Sequence, residues 1–184
     1  MRPKTLIDAK QLRLIIDRLC YQLLEEHDDF SNTALIGIQP RGVELASRIA
    51  SRLSEITKKK AILYGNLDIT FYRDDFRRRE EPLKASETQI EFSLEDKRVV
   101  LIDDVLYTGR TIRAAMDALL AFGRPRSVEL LILIDRRFSR HLPVEPNYTG
   151  KQVDSLASQL VKVQWGSKAG EEKVLLYTTD EGNE

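Results

Sequence analysis

Apolar residues in this chain recur at two spacings, and the alternation between them sets out the fold. From Asp8 to Glu26 they fall at Leu12, Ile15, Ile16, Leu19, Cys20 and Leu23, the stripe of an amphipathic helix. Ala34 to Ile38 is a short apolar strand, and Ala46, Ile49, Ala50 and Leu53 mark one face of a helix from about Val43 to Leu53. Residues 61–73 predict two strands, or one bent strand, broken near Gly65-Asn66. Residues 74–89 are polar, contain Pro82 and lack periodicity, which predicts a long loop. Val99 to Ile102 have the length and β-branched character of a strand buried on both faces. Ile112, Ala115, Met116, Leu119 and Leu120 then predict a helix, which Gly123 and Pro125 end. Val128 to Ile134 reads as another buried strand, with Val161 to Val163 and Val174 to Tyr177 as later ones. The stretch holding Pro143, Pro146 and Gly150 reads as irregular. Strands alternating with helices argue for an α/β fold, a parallel-rich sheet flanked by helices, in a single domain over 1–184. Such sheets bind ligands at the carboxyl ends of their strands.

Composition narrows the class. A chain of 184 residues, 42% apolar and 32% charged, suits one soluble domain with a substantial core. Lysine plus arginine and aspartate plus glutamate both number 29, so no global field draws in nucleic acid, although local clusters remain open to it. No apolar run approaches the ~20 residues of a membrane span. The N-terminal Met-Arg-Pro-Lys-Thr-Leu-Ile-Asp lacks a signal-peptide core, which makes the cytoplasm the expected compartment. Cys20 is the single cysteine and sits inside the first helical stripe, a core position rather than a nucleophile. With His27 and His141 the only histidines, no structural zinc site is expected.

Candidate chemistry concentrates where the central strand ends. Asp103 and Asp104 follow Ile102, and Thr108-Gly109-Arg110-Thr111 then opens the next helix. The two carboxylates can accept hydrogen bonds from ribose hydroxyls. The turn's amides, the Thr108 and Thr111 hydroxyls and the positive end of the helix dipole can hold a phosphate. Taken singly, the acids can be a solvated strand end, Thr108 a plain N-cap and Gly109 an ordinary turn residue. Their conjunction after a buried strand has little structural motive and points to a ligand that is both a sugar and a phosphate. Gln39-Pro40-Arg41-Gly42 ends the first strand and should open on the same sheet edge. Gly42 permits close backbone approach, and Arg41 offers donors matched to pyrophosphate oxygens. A plain strand-to-helix turn is the alternative. Segment 72–81 carries four basic and four acidic residues, a balance against a pure nucleic-acid patch. Within it Arg73 is the residue placed to reach a phosphate.

The run Val-Val-Leu-Ile-Asp-Asp-Val-Leu-Tyr-Thr-Gly-Arg-Thr at 99–111 resembles the signature of the type I phosphoribosyltransferases, enzymes that use phosphoribosyl pyrophosphate (PRPP). Ile-Gly-Ile-Gln-Pro-Arg-Gly at 36–42, Leu-Asp-Ile-Thr-Phe-Tyr-Arg-Asp-Asp at 67–75 and Arg-Ala-Ala-Met-Asp-Ala at 113–118 extend the likeness. Gly-Arg-Pro at 123–125 and Ile-Asp-Arg at 134–136 follow in the same order, so it covers nearly the whole chain. The signature alone marks a PRPP user. The matches at 67–75 and 113–118 are similar to the branch that combines uracil phosphoribosyl transfer with attenuation of pyrimidine operons.

The resemblance implies the type I phosphoribosyltransferase fold, with a small hood from the C-terminal segment and a flexible loop at about 74–89 that closes over PRPP and excludes water. It implies conversion of uracil and PRPP to UMP and pyrophosphate, with Mg²⁺ bound mainly through PRPP and no dedicated metal ligands. Arg41, Asp103 and Asp104 would be the catalytic set. Substrate contacts would come from Pro40, Arg41, Gly42 and Arg73, and from Asp103 and Asp104 through Val105, Leu106 and Tyr107 to Thr108, Gly109, Arg110 and Thr111. Arg136 and the backbone around Val161 would lie toward the base. The 6-oxopurine enzymes of the family carry an Asp where Tyr107 stands, which favours a pyrimidine here. UMP would serve as product or effector, and a homodimer or higher homo-oligomer is expected. Another base such as orotate is an alternative substrate.

A role mainly as an RNA-binding attenuator is the other alternative. For leader RNA of pyrimidine genes the resemblance points to Arg13 and Arg18 on the first helix, and to Arg136, Arg137, Arg140 and His141. Asp17, Glu25, Glu26 and Glu145 dilute those clusters, and the Thr and His of attenuating members near Asp17 and Tyr21 are absent. RNA affinity rests largely on phosphate neutralisation, so weak RNA binding is the expectation.

Overall fold

Asp8 starts the first long helix by chemistry visible in the sequence. In the computed structural model its carboxylate accepts the Gln11 N–H at 2.8 Å, and the Gln11 side chain accepts the Asp8 N–H at 3.3 Å. A short strand, β1 (Lys4–Ile7), precedes this cap, and α1 (Ala9–His27) follows it with Leu12, Ile16, Leu19, Cys20 and Leu23 buried. The structure describes residues 3–58, 62–74, 87–156, 158–166, 168 and 170–178. Most of the expected 74–89 loop, residues 75–86, lies outside the described residues.

The main sheet is parallel throughout. It comprises β2 (Thr33–Ile38), β3 (Leu63–Leu67), β4 (Arg98–Leu106), β5 (Ser127–Arg137) and β6 (Tyr148–Asp154), in the order β3-β2-β4-β5-β6. α2 (Gly42–Thr57) connects β2 to β3, and α3 (Arg110–Leu119), extended by a 3-10 turn at Leu120–Phe122, connects β4 to β5. Pleating divides the strand residues between two cores. Leu35, Val100, Ile102, Leu131 and Leu133 pack with α1 and α2; Ala34, Ile36, Val99, Leu101, Leu130 and Ile132 pack with α3. Cover on both faces is why these strands are unbroken apolar runs. A second, antiparallel sheet has the order β1-β8-β7, formed with β7 (Gln159–Gln164) and β8 (Lys173–Thr178). The N-terminal strand therefore joins the C-terminal segment expected to build the hood.

Several expectations are corrected by the packing. β3 runs straight through Gly65-Asn66. A Cβ at Gly65 would lie 2.8 Å from the Gln89 carbonyl, so the glycine allows close approach rather than a break. β4 does not stop at Ile102 but carries Asp103 and Asp104 within it, paired along β5 as far as Leu106. β5 likewise extends to Arg137, which puts Arg136 inside the strand instead of after it. The stretch read as irregular contains β6, an edge strand whose Gly150 lies under the Leu133 carbonyl. Among the described residues no helix is long and apolar enough to cross a membrane.

Candidate active site

β4 delivers both acids to the sheet's carboxyl edge, and its pleat sends them to opposite sides. Asp103 lines a cavity of about 710 Å³ with Arg73, Tyr107 and the Thr108–Thr111 turn. Asp104 lines an adjoining cavity of about 480 Å³ with Pro40, Arg41, Arg136 and Val161, and Asp103 reaches into this one too. Relative exposures are 7% and 4%, and among the described residues neither acid forms an ion pair. The Asp103 carboxylate accepts the Asp104 N–H at 2.9 Å. Burial pushes the Asp103 carboxyl well above the usual carboxylate range and the neighbouring Asp104 charge adds to this, against the pull of that amide, Arg41 and Arg73. Burial raises Asp104 as well, with Arg41 the main opposing charge. Two desolvated acids, countered only by these neighbours and not ion-paired among the described residues, are costly in the free protein and suit a ligand that brings hydroxyl donors and positive charge.

Gly42 explains how Arg41 reaches them. It opens α2, and a Cβ there would strike the Ile102 carbonyl and lie 3.0 Å from the Asp103 Cα. Glycine alone lets this loop lie on the strand just ahead of the acids. On the other side, Gly109 has φ 90° and ψ −6° and precedes α3 without a side-chain cap. The Arg110 N–H lies 3.4 Å from the Thr108 hydroxyl, a weak contact. The turn's amides, its hydroxyls and the helix dipole thus border the larger cavity with little internal competition. Arg110 pairs with Asp74, and Arg113 lies 3.7 Å from the same carboxylate.

At the far end Arg136 is 3% exposed and, among the described residues, has no carboxylate partner. Its Nε donates to Ser155 Oγ at 2.7 Å and a terminal nitrogen donates to the Leu156 carbonyl at 3.0 Å. Burial lowers its pKa. Every expected substrate contact except Gly42 lines one of the two cavities; Gly42 packs behind them. Sequence reasoning missed Gln39, Asp68, Ile69, Thr70 and Leu160, which line the smaller cavity. The signal for three of these was the Leu-Asp-Ile-Thr run at 67–70. There the Asp68 carboxylate accepts the Thr70 hydroxyl at 2.6 Å and its N–H at 3.1 Å.

Three of the four arginines expected at an RNA surface hold partners within the protein, although Arg18 and Arg137 stay exposed. Arg13 is exposed on α1. Arg18 donates to the Thr149 and Gly150 carbonyls at 3.1 and 2.5 Å, pinning α1 to β6. Arg137 grips Asp154 through two bonds of 2.6 and 2.8 Å. Arg140 turns inward onto Asp135 and the carbonyls of Tyr107 and Val144.

The phosphoribosyl transferase domain family matches residues 4–167. The chain belongs to the phosphoribosyltransferase family. Among relatives of this phosphoribosyltransferase, Bifunctional protein PyrR of Deinococcus radiodurans is 40% identical over 96% of both chains. Bifunctional protein pyrR of Enterococcus faecalis is 38% identical over the whole of both. These place the chain in the PyrR group of the family. The hypoxanthine phosphoribosyltransferase of Trypanosoma cruzi superposes with a TM-score of 0.69 at 13% identity, covering 96% of this phosphoribosyltransferase and 97% of that chain. At that identity the likeness concerns the fold alone, which is the type I phosphoribosyltransferase fold.

Proposed function

We propose that this phosphoribosyltransferase is a single-domain cytoplasmic enzyme that converts uracil and PRPP to UMP and pyrophosphate. The observation that carries the reading is the buried Asp103–Asp104 pair, set between the Thr108–Thr111 turn and the Arg41 loop. The turn would hold the 5′-phosphate at the start of α3. Asp103 and Asp104 would accept the ribose hydroxyls and stabilise positive charge at the anomeric carbon as the bond to pyrophosphate breaks. Arg41 would grip the departing pyrophosphate through its fork of donors. Positioning and electrostatics thus do most of the catalysis.

Magnesium arriving with PRPP would supply neutralisation of the leaving group's charge. The residues fit such an ion. Asp103 and Asp104 offer two acids that, among the described residues, form no ion pair, the donor chemistry a substrate-borne Mg²⁺ would meet directly or through water.

The choice of uracil rests on the base end. Tyr107 stands where purine enzymes carry an acid that serves the purine ring, and Tyr107, Arg136 and Val161 border the smaller cavity. A pyrimidine deprotonated at N1 is the better nucleophile for such a site. The small sheet, which brings Val161 to the cavity, would act as the hood, and the protein would work as a homodimer or higher oligomer. The test is a panel of uracil, orotate, hypoxanthine and xanthine with PRPP and Mg²⁺, following pyrophosphate release. Uracil should lead by a wide margin; faster turnover of orotate or a purine would overturn the assignment.

Relatives named bifunctional favour a second activity, binding of leader RNA from pyrimidine genes with UMP as effector. Arg13, Arg18, Arg137 and Arg140 remain its candidate contacts.

A further inference from the structure

The segment after β5 is strapped against the phosphate turn. The His141 and Leu142 N–H groups both donate to the Thr108 carbonyl, at 3.0 and 3.2 Å. Arg140 donates to the preceding carbonyl, that of Tyr107, at 2.6 Å, and its Nε donates to the Val144 carbonyl at 3.1 Å. The other arm of the guanidinium pairs with Asp135, whose side chain is 7% exposed. Leu142 and Val144 also fill the space beneath Gly109, where a Cβ would lie 3.3 Å from Val144 Cγ2.

Two consecutive carbonyls of the turn are therefore held on the strap side. In a trans peptide the C=O and the following N–H point in opposite directions. Fixing the Tyr107 and Thr108 carbonyls toward the strap turns the N–H groups of Thr108 and Gly109 the other way, toward the cavity that both residues line. Among the described residues neither of these N–H groups has a backbone acceptor.

We propose that Arg140 and Asp135 act as a positioning pair that sets these two peptide units so that their amides receive the 5′-phosphate. The assignment rests on the proposed phosphoribosyl chemistry, and it gives Arg140 an inward task in place of a free surface charge. Asp135, at the end of β5, fixes one arm of the guanidinium; the other reaches the Tyr107 carbonyl, and the turn inherits its orientation from a buried acid it never touches. Neither residue would contact substrate.

Two probes separate this role from general damage. Ribose 5-phosphate engages the turn, whereas pyrophosphate with Mg²⁺ engages the Arg41 side. Affinity of each is measured by titration calorimetry for the whole protein, its Arg140→Ala, Arg140→Lys and Asp135→Asn variants and the Arg140→Ala/Asp135→Asn double variant. Ribose 5-phosphate binding should weaken about tenfold in Arg140→Ala, the effect of losing one charged hydrogen bond, and in part recover in Arg140→Lys. Pyrophosphate binding should stay within about twofold, and the double variant should be no worse than Arg140→Ala because the two residues act through one another. Equal losses for both probes, or unchanged ribose 5-phosphate affinity, would overturn the proposal, and so would a wild-type protein that binds neither probe. Should Arg140→Ala not fold, Arg140→Lys and Asp135→Asn carry the same comparison. Neither probe contains a base, so failure of the uracil assignment shows separately, in the base panel.

Discussion

The guanidinium of Arg136 lies over the ring of Tyr107, 4.0 Å from its centroid. The ring gives a buried arginine that has no carboxylate partner among the described residues an electrostatic counterpart. Tyr107→Ala should raise the KM for uracil about fivefold, the ~1 kcal/mol of a cation–π contact, while Tyr107→Phe stays near wild type. Steady-state kinetics with uracil varied at saturating PRPP checks this. An equal loss in both variants would assign the effect to the hydroxyl.

Asp103→Asn and Asp104→Asn should each lower kcat/KM by ~100-fold or more, as expected for losing several kcal/mol of transition-state stabilisation. The same variants should melt at a higher temperature than the wild type without ligand, because each removes a buried, unpaired charge. For both acids the folded pKa lies above the unfolded one. The folded protein then binds more protons, and the acids' contribution to stability is lost as pH rises through the folded pKa. Melting temperatures from pH 5 to 8 should show the variants' advantage growing with pH.

His27 predicts the opposite slope. It is buried at the foot of the sheet, with Nδ1 3.1 Å from the Thr33 hydroxyl and Nε2 3.0 Å from the Glu129 carboxylate, and burial lowers its pKa below the ordinary 6.5. The unfolded chain takes up a proton there before the folded protein does, so stability should fall as pH drops below 6.5. His27→Gln should cost about 1–3 kcal/mol at pH 8 through lost buried hydrogen bonds, and should flatten the acid side of the profile. Chemical denaturation at pH 8, 6.5 and 5 reads both effects.

RNA binding, where present, should be steep in salt. Arg13 is exposed on α1, whereas Arg18, Arg137 and Arg140 are each tied to partners within the protein. Arg13→Glu should therefore lower affinity for pyrimidine-gene leader RNA and leave uracil turnover unchanged. The log–log salt slope should shrink by roughly 0.7–0.9 for each phosphate that the variant no longer neutralises. Gel shifts at several salt concentrations, with and without UMP, decide it. An unaltered slope would remove α1 from the RNA surface.

The candidate site at 99–111 was legible because it is contiguous: strand, acids, glycine turn and helix start follow one another in the chain. The parts that were not legible depend on distant partners. β6 is a largely polar edge strand that follows Pro143 and Pro146 and gains strand character from pairing with β5. β1 is four residues long and is defined by β8, far away in sequence. The inward turn of Arg140 needs Asp135 and two carbonyls brought together by folding. Asp68 and Thr70 stood in a quoted motif, yet only the position of β3 beside β2 carries them to the cavity.

The pleat at Asp103 and Asp104 makes the apolar run before them a measuring device. Val99 to Ile102 are locked by two separate cores, so their alternation fixes which acid borders the Thr108–Thr111 turn as well as the Arg41 loop and which borders the Arg41 loop alone. One residue inserted into that run would turn each acid to the other face of the sheet while leaving both in the sequence. The orientation of the acid pair is thus written in core packing, where no sequence motif would report its loss.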